Sequence, residues 1–198
     1  MAPTWNPHRV RIVGGSHRGL TLAALGKGDS AAHLRPTSDR VREALFNVLQ
    51  GGRFGDPITG QRVLDLFAGT GALGLEALSR GAAFVTFVDD GRIAQGLIRD
   101  NIARARREDD TRLIPRPAAR LGDGAPCGLV FLDPPYGKGL GAPALQAARD
   151  GGWIAPGALI VWEEAAPMAP PPGFDLLEHR RYGDTHVTLL EAGEAGTS

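Results

Sequence analysis

The sequence predicts an α/β fold built on a doubly wound, mostly parallel sheet. From Gln61 onward, short β-branched and apolar runs alternate with helical stretches, and a glycine-rich turn joins the first run to its helix. Such alternation is typical of βαβ units, whose strands run parallel. No helix separates the last two apolar runs, so we expect an antiparallel hairpin at one edge of the sheet.

Residues 1–50 are predicted to form a small extension, and residues 51–198 the sheet domain. Within Arg9–Ala23, apolar residues flank glycines, which favours a hairpin of two short strands. Thr37 or Ser38 then caps a helix whose apolar side holds Val41, Ala44, Leu45, Val48 and Leu49. The extension has seven Lys and Arg against three Asp and Glu, a net charge of +4, which leaves −4 for the rest of the neutral chain. A polyanionic partner would explain this asymmetry, although a solvated basic face is the commoner cause.

Seven strands are predicted in the sheet domain. Five of them alternate with helices and lie at Arg62–Leu66, Phe84–Val88, around Leu113 and Ile114, Leu129–Leu132 and Leu159–Trp162. The helices are predicted at Leu73–Arg80, Arg92–Arg107 and Ala142–Asp150. The closing hairpin pairs Leu176–Arg181 with His186–Glu191.

Composition excludes several kinds of protein. Charged residues make up 22% and hydrophobic residues 42%, as in folded globular chains. No apolar run approaches the roughly 20 residues that span a bilayer, and Met1–His8 lacks the apolar core of a secretory signal, so we expect a cytoplasmic protein. Cys127 is the only cysteine and the five histidines lack metal-ligand spacing, so neither a disulfide within the chain nor a metal site is expected.

A glycine loop follows the first strand of the sheet. The run Asp65-Leu-Phe-Ala-Gly-Thr-Gly-Ala-Leu-Gly74 contains the pattern GxGxxG at a turn from strand to helix, and Asp89 ends the next strand. The glycines permit a tight turn and let a ligand lie against main-chain amides, while Asp89, assisted by Asp90, can accept ribose hydroxyls. The residues predicted to bind a nucleoside cofactor here are Phe67, Ala68, Gly69, Thr70, Gly71 and Gly74.

Two cofactors compete for this loop, a dinucleotide such as NAD and S-adenosylmethionine. A carboxylate inside the first strand gains nothing from the pyrophosphate of a dinucleotide. Asp65 stands there, and it suits the cationic amino and sulfonium groups of S-adenosylmethionine. The sequence therefore favours S-adenosylmethionine.

The segment Asp133-Pro134-Pro135-Tyr136 directly follows an apolar strand. Two prolines fix φ and remove two backbone donors, which leaves a stiff loop of carbonyl groups at the carboxyl edge of the sheet. If Asp133 and the Pro134 carbonyl each accept one N–H of a nucleobase amino group, the nitrogen lone pair can face an electrophile. Tyr136 can stack on that base. These four residues are the predicted catalytic residues.

These motifs resemble the amino-methyltransferases that act on nucleic acids. The blocks Arg11–Gly19, Arg35–Asn47 and Asp65–Gly81 more narrowly resemble the bacterial 16S rRNA guanine-N2 methyltransferase family, and the likeness runs from about Arg9 to Glu191. The resemblance implies a Rossmann-like class I methyltransferase fold with seven strands. It also implies methyl transfer from S-adenosylmethionine to N2 of a guanine in 16S rRNA, either free or within a small ribosomal subunit.

The resemblance also implies which residues contact RNA and where this chain departs from the family. RNA would contact the N-terminal hairpin and the segment that follows, through Arg11, Arg18, Arg35, Thr37, Arg40 and Arg42. The family usually places Asn or Asp after the third strand to bind the adenine amino group, whereas this chain has Pro117. The Ala118 backbone N–H is then left to meet an adenine ring nitrogen.

Three alternatives stay open. A DNA methyltransferase for adenine N6 or cytosine N4 would use the same loop, but it normally needs a larger recognition region than the residues before Thr59 provide. Asp65 and the proline loop argue against an NAD-binding protein. Asp133 and Tyr136 argue against a noncatalytic RNA-binding assembly factor, whereas Pro117 favours one.

Overall fold

The computed structural model describes residues 10–24 and 37–194. Within these residues the strands are β1 (Arg62–Leu66), β2 (Phe84–Val88), β3 (Thr111–Ile114), β4 (Cys127–Leu132), β5 (Ile154–Glu164), β6 (Phe174–Tyr182) and β7 (Thr185–Ala192). The α-helices are α1 (Asp39–Leu49), α2 (Ala72–Ser79), α3 (Arg92–Ala105) and α4 (Gly141–Asp150).

The strands form one sheet in the order β3-β2-β1-β4-β5-β7-β6. Strands β1 to β5 pair in parallel, and β7 lies antiparallel between β5 and β6. The predicted seven-stranded sheet with its antiparallel hairpin is therefore confirmed. The chain proceeds from β1 to β2 and β3 on one side, and then crosses to β4 on the other side. Ligands of open α/β sheets bind at the carboxyl ends of the strands beside such a switch point, which here lies between β1 and β4.

Alternate residues of the central strands fill two apolar layers. On β4, Leu129 and Phe131 pack in the layer that contains α1, α2 and α3, whereas Val130 and Leu132 pack in the layer that contains α4. All four side chains are fully buried. Because both faces are covered, as is usual for parallel strands, a ligand can approach this part of the sheet only at the strand ends.

The segment of residues 10–24 forms a hairpin-like loop rather than the two predicted strands. A single β-bridge joins Arg11 and Thr21, and Gly15–His17 forms a short 3₁₀ turn. Side chains of α2 explain the difference, since Glu76 accepts the amides of Val13 and Gly14 at 2.9 and 2.8 Å. These amides are bonded to a helix, so they do not extend a strand ladder. Arg9, where the prediction began, lies outside the described residues.

Strand β5 is longer than predicted. The sequence indicated Leu159–Trp162, whereas the strand runs through Pro156 and Gly157 and ends only at Glu164. Pairing with β4 resumes after a bulge, and pairing with β7 reaches Glu164 opposite His186. Two acidic residues therefore belong to the end of this strand. In the described part of the chain, no helix has the length and apolar character needed to cross a membrane.

Close packing of α2 on the sheet requires glycine at position 74. A Cβ there would lie 2.7 Å from Val85 Cγ1 and 3.0 Å from Asp65 Oδ2. We expect Gly74→Ala to lower the free energy of unfolding by about 1–3 kcal/mol, because the strand side chains must shift. Gly96→Ala is the control, since that helical site of α3 is open and alanine there should stabilise by about 0.5–1 kcal/mol. Urea denaturation measures both, and equal effects would contradict this account.

Candidate active site

Three parallel strands, β2, β1 and β4, end in one row at the carboxyl edge of the sheet, and β5 runs in register beside them. The register aligns Val88 of β2, Leu66 of β1, Leu132 of β4 and Trp162 of β5. One residue further along, the aligned positions are Asp89, Phe67, Asp133 and Glu163. The topology thus brings together residues that lie far apart in the sequence. It sets the glycine loop beside the proline loop of residues 133–136, which we also call the Asp133 loop.

The glycine loop is fastened to the end of β2. The Gly69 amide donates to Asp89 Oδ2 and the Gly91 amide to Asp89 Oδ1, both at 2.9 Å. Gly69 and Gly71 have φ of 59° and 77°, a region in which glycine has no steric cost. Asp89 is partly buried beside the loop, whereas Asp90 is exposed. The ribose contacts of both residues stay predictions.

Phe67 occupies the first position after β1 with φ of 60°, which is uncommon for a residue that has a side chain. Backbone conformations of this kind cluster at ligand sites, where the surrounding structure maintains them. The Ala68 amide donates to Val88 O at 3.1 Å, and the Gly71 amide donates to Ala68 O at 2.7 Å. The backbone between β1 and α2 is therefore held in one shape by its neighbours.

Asp65 is buried beneath the glycine loop. Its Oδ2 accepts the Gly74 amide at 3.0 Å, near the start of α2. Burial raises the pKa of Asp65 well above its usual value, and the charges of Asp89 and Glu163 add to this, against the lowering effect of the Gly74 hydrogen bond. The prediction that Asp65 faces a cation stays untested, but its surroundings supply negative charge rather than positive charge.

Asp133 and Glu163 lie side by side at the ends of β4 and β5. Burial raises the pKa of Asp133 well above its usual value, and the neighbouring carboxyls of Glu163, Asp65 and Glu164 raise it further. Burial also raises the pKa of Glu163 to about 7, although the hydrogen bond from Thr37 and the charge of Arg42 oppose the shift. Neighbouring carboxyls with raised pKa values form a site that favours a cationic ligand.

Hydrogen bonds to β1 and to β5 hold the Asp133 loop in place. The Asp133 amide donates to Leu66 O at 3.3 Å, and the Gly137 amide donates to Glu164 Oε1 at 2.8 Å. Tyr136 is 41% exposed, and its hydroxyl lies 3.3 Å from Thr185 Oγ1. Burial of the hydroxyl raises the pKa of Tyr136 to about 12, so the phenol is neutral at physiological pH. Much of its ring is free to meet a planar ligand.

The residues predicted to contact RNA differ in their exposure to solvent. Arg11, Arg18 and Arg40 are exposed. Arg35 lies outside the described residues. Thr37 is partly buried, and its hydroxyl donates a hydrogen bond to Glu163 Oε2 at 2.9 Å. The Thr37 side chain therefore contacts one of the aligned acidic residues.

Arg42 does not fit the predicted RNA contact, because its side chain is fully buried. Its Nη1 donates to Thr37 O at 3.1 Å, and its Nη2 donates to Arg11 O and to Asp39 Oδ1. Its Nε lies 3.5 Å from Glu76 Oε2. Arg42 therefore joins the hairpin-like loop, the start of α1 and helix α2, and it acts on the site through Thr37.

Sequence reasoning missed four buried polar residues that shape the site: Glu76, Asn101, Glu163 and Glu164. Asn101 Nδ2 donates to Thr70 O and to Ala23 O at 2.8 and 3.0 Å, so it links the glycine loop to the N-terminal segment. The acids Glu163 and Glu164 had a usable signal, since they directly follow an apolar strand. No comparable local signal marks Glu76 and Asn101, which lie within helical patterns.

Pro117 and Ala118 follow β3 at the same edge. Ala118 is buried and begins a short 3₁₀ turn, in which the Arg120 amide donates to Pro117 O at 2.9 Å. The adenine contact of the Ala118 backbone stays a prediction. Among the described residues, no cluster of three or more His, Cys, Asp and Glu side chains is arranged to hold a metal ion.

Comparisons with known proteins agree with this geometry. Residues 10–191 match the family described as conserved hypothetical protein 95. The Escherichia coli K12 protein named ribosomal RNA small subunit methyltransferase D is 40% identical over 78% of this chain and 74% of its own length. The Haemophilus influenzae protein of the same name is 33% identical over 92% and 93%. The solved structure of the putative methyltransferase yhhF from Escherichia coli aligns with a TM-score of 0.78 and 35% identity, covering 93% of this chain and 98% of that one. The fold is thus that of the class I methyltransferases.

Loss of Arg42 should destabilise the protein. Arg42→Ala leaves the buried Glu76 carboxylate with Arg80 as its one cationic partner among the described residues, so we expect the free energy of unfolding to fall by on the order of 3 kcal/mol. Arg40→Ala is the matched control on the same helix, and its exposed side chain should change stability by no more than about 0.5 kcal/mol. Urea denaturation compares the two variants, and a stable Arg42→Ala protein would refute the anchoring role.

Glu163 should make stability depend on pH. Its folded pKa of about 7 lies above the ordinary value of 4.5. The contribution of Glu163 to the free energy of unfolding is therefore fully present below pH 4.5 and is lost as pH rises past 7. Glu163→Gln cannot ionise, so from pH 4.5 to 8 it should gain up to about 3 kcal/mol relative to the wild type. Denaturation at several pH values tests this, with the exposed Glu191→Gln as control. A difference in unfolding free energy between Glu163→Gln and the wild type that does not vary with pH would count against the prediction.

Proposed function

The chain belongs to the conserved hypothetical protein 95 family, and on that basis we propose that it methylates the exocyclic N2 of a guanine in small-subunit 16S rRNA. The methyl donor in this proposal is S-adenosylmethionine. The observation that carries the proposal is the row of aligned strand ends, which sets Asp133 and its proline loop directly beside the glycine loop. The related proteins named rRNA small subunit methyltransferase D supply the substrate class.

The carboxyl edge has the chemistry that S-adenosylmethionine requires. When bound, this cofactor supplies an electrophilic methyl group on a cationic sulfur. Asp89, next to the glycine loop, would hold its ribose, and Asp65 would face its cationic end. The buried carboxyls ionise more readily beside a cation, and a dinucleotide would bring further negative charge to the same edge. Electrostatics therefore favour S-adenosylmethionine over NAD here.

The proline loop would hold the guanine amino group. Asp133 and the Pro134 carbonyl would each accept one N–H of the 2-amino group, since neither proline carries an amide donor that competes for them. Two fixed acceptors orient the nitrogen lone pair, and the proton that the nitrogen loses can pass to the Asp133 carboxylate. Positioning of this kind supplies most of the rate when no protein nucleophile is needed.

Tyr136 would support the base, and the basic extension would support the RNA chain. The Tyr136 ring is 41% exposed at the end of the loop, and stacking on a base contributes about 1–3 kcal/mol. Arg11, Arg18 and Arg40 are exposed on residues 1–50, which we propose as the RNA-contacting part of the protein. The substrate would be free rRNA or the small ribosomal subunit, and the protein would act in the cytoplasm.

Asp133 provides the decisive test. Asp133→Ala removes one amino-group acceptor, so methyl transfer should fall by at least about 100-fold, while Asp133→Asn keeps an acceptor oxygen and should retain more activity. The assay follows tritium from labelled S-adenosylmethionine into naked rRNA and into small subunits from cells that lack the protein, and mass spectrometry identifies the product. Cofactor binding by calorimetry controls for misfolding.

The outcomes separate the competing functions. N2-methylguanine that depends on Asp133 supports the proposal, and the better substrate reveals whether an assembled particle is recognised. Methylated adenine or cytosine would refute the guanine assignment and leave amino-group transfer intact. Cofactor binding without transfer to any RNA would favour a noncatalytic assembly factor.

A further inference from the structure

A cleft adjoins the Asp133 loop on the face of the sheet that packs against α4. It has a volume of about 270 Å³ and is lined by Gly137, Gly139, Gly141, Trp162, Glu164 and Met168, with nearby alanines. This is slightly smaller than the roughly 300 Å³ at which pockets for drug-sized ligands begin, so the cleft suits one base-sized group. It shares the loop of residues 136–141 with the proposed catalytic site but lies beyond it.

The cleft contains a buried donor that lacks a partner among the described residues. Trp162 is 2% exposed, and no described residue supplies a hydrogen-bond acceptor to its indole Nε1. A Cβ at Gly141 would lie 2.7 Å from this nitrogen, so only a residue without a side chain fits against the Nε1 edge of the indole. Burial of an unpaired N–H costs about 1–3 kcal/mol, and natural structures rarely keep one without a use. An acceptor atom on a ligand would satisfy it.

The other groups around the cleft fit a nucleotide. Glu164 Oε1 accepts two backbone amides, which hold the carboxylate at the cleft wall. The partly buried Met168 lines the cleft and supplies apolar surface for a base. Lys138 is exposed on the same loop, and α4 begins at Gly141 with no side-chain cap, so its first amides and its dipole favour an anion such as phosphate.

We propose that this cleft binds one nucleotide of the RNA strand next to the methylated guanosine. Its base lies against Trp162 and gives an acceptor atom to the indole N–H, and its phosphate lies toward Lys138 and the start of α4. Glu164 accepts an amino or imino hydrogen of the same base. The inference rests on the proposed function, since it assumes that RNA reaches the neighbouring Asp133 loop.

The indole N–H signals provide a direct test. The chain has three tryptophans, and Trp153 is an internal reference because it is equally buried and its Nε1 already donates to Gly122 O at 2.7 Å. The probes are single-stranded RNA pentamers with a central guanosine and uniform adenosine, cytidine or uridine flanks. In ¹⁵N–¹H spectra, the signal assigned to Trp162 through Trp162→Phe should move on titration, and that of Trp153 should not.

Three results would overturn the subsite. These are an unmoved Trp162 signal at RNA concentrations that saturate binding, an equal response to pentamers with abasic flanks, and a tighter response to free adenosine monophosphate. A Trp162 response without methyl transfer would support the subsite and refute the proposed reaction. Normal methyl transfer with an unmoved Trp162 signal would refute the subsite and support the proposed reaction.

The phenylalanine variants separate binding from folding. Trp162→Phe removes a donor that has no partner in residues 10–24 and 37–194, so it should melt at a higher temperature than Trp153→Phe, which deprives Gly122 O of its donor. Trp162→Phe should raise KM for RNA about 2- to 10-fold, the effect of one lost hydrogen bond, while kcat and cofactor affinity stay unchanged. A KM equal to that of the wild type would contradict the subsite.

Discussion

The site depends on the alignment of four parallel strands at one edge of the sheet. Because β2, β1 and β4 end at the same level and β5 runs in register beside them, the residues at the next position meet at one edge, and three of those four residues are acidic. Both faces of the sheet are covered by apolar layers, so this edge is where the central strands offer polar groups to a ligand. The glycine loop, the proline loop and the neighbouring cleft all take their positions from that alignment.

Crowding of carboxyls at this edge opposes folding and favours a ligand of opposite charge. Burial raises the pKa values of Asp65, Asp133 and Glu163, and neighbouring carboxyls raise those of Asp65 and Asp133 further, so their charged forms are held at a cost to stability. Arg42 and Thr37 offset part of that cost at Glu163. An arrangement that is unfavourable for the protein alone is typical of a binding or catalytic site.

The N-terminal segment is fastened to the same edge at two points. Asn101 holds Ala23 to the glycine loop, and Thr37 reaches Glu163. In addition, the buried ion pair of Arg42 and Glu76 holds the start of α1 against α2. The segment that has the exposed basic residues is thus hydrogen-bonded to groups that adjoin the proposed reaction site.

The sequence by itself determined the sheet, its helices, the glycine loop and the proline loop, because alternation, glycine and proline act over a few residues. The limits of these elements were less well determined: the sequence predicted a strand at Leu159–Trp162, whereas β5 runs from Ile154 to Glu164 and pairs with β7 as far as Glu164. Only the tertiary structure decided that Arg42 is buried and that Glu163 stands beside Asp133. Those placements rest on contacts between distant residues, such as the hydrogen bond that Thr37 makes across 126 positions to Glu163. No local pattern specifies such pairs, since they exist only once the strands have aligned and the N-terminal segment has packed on α2.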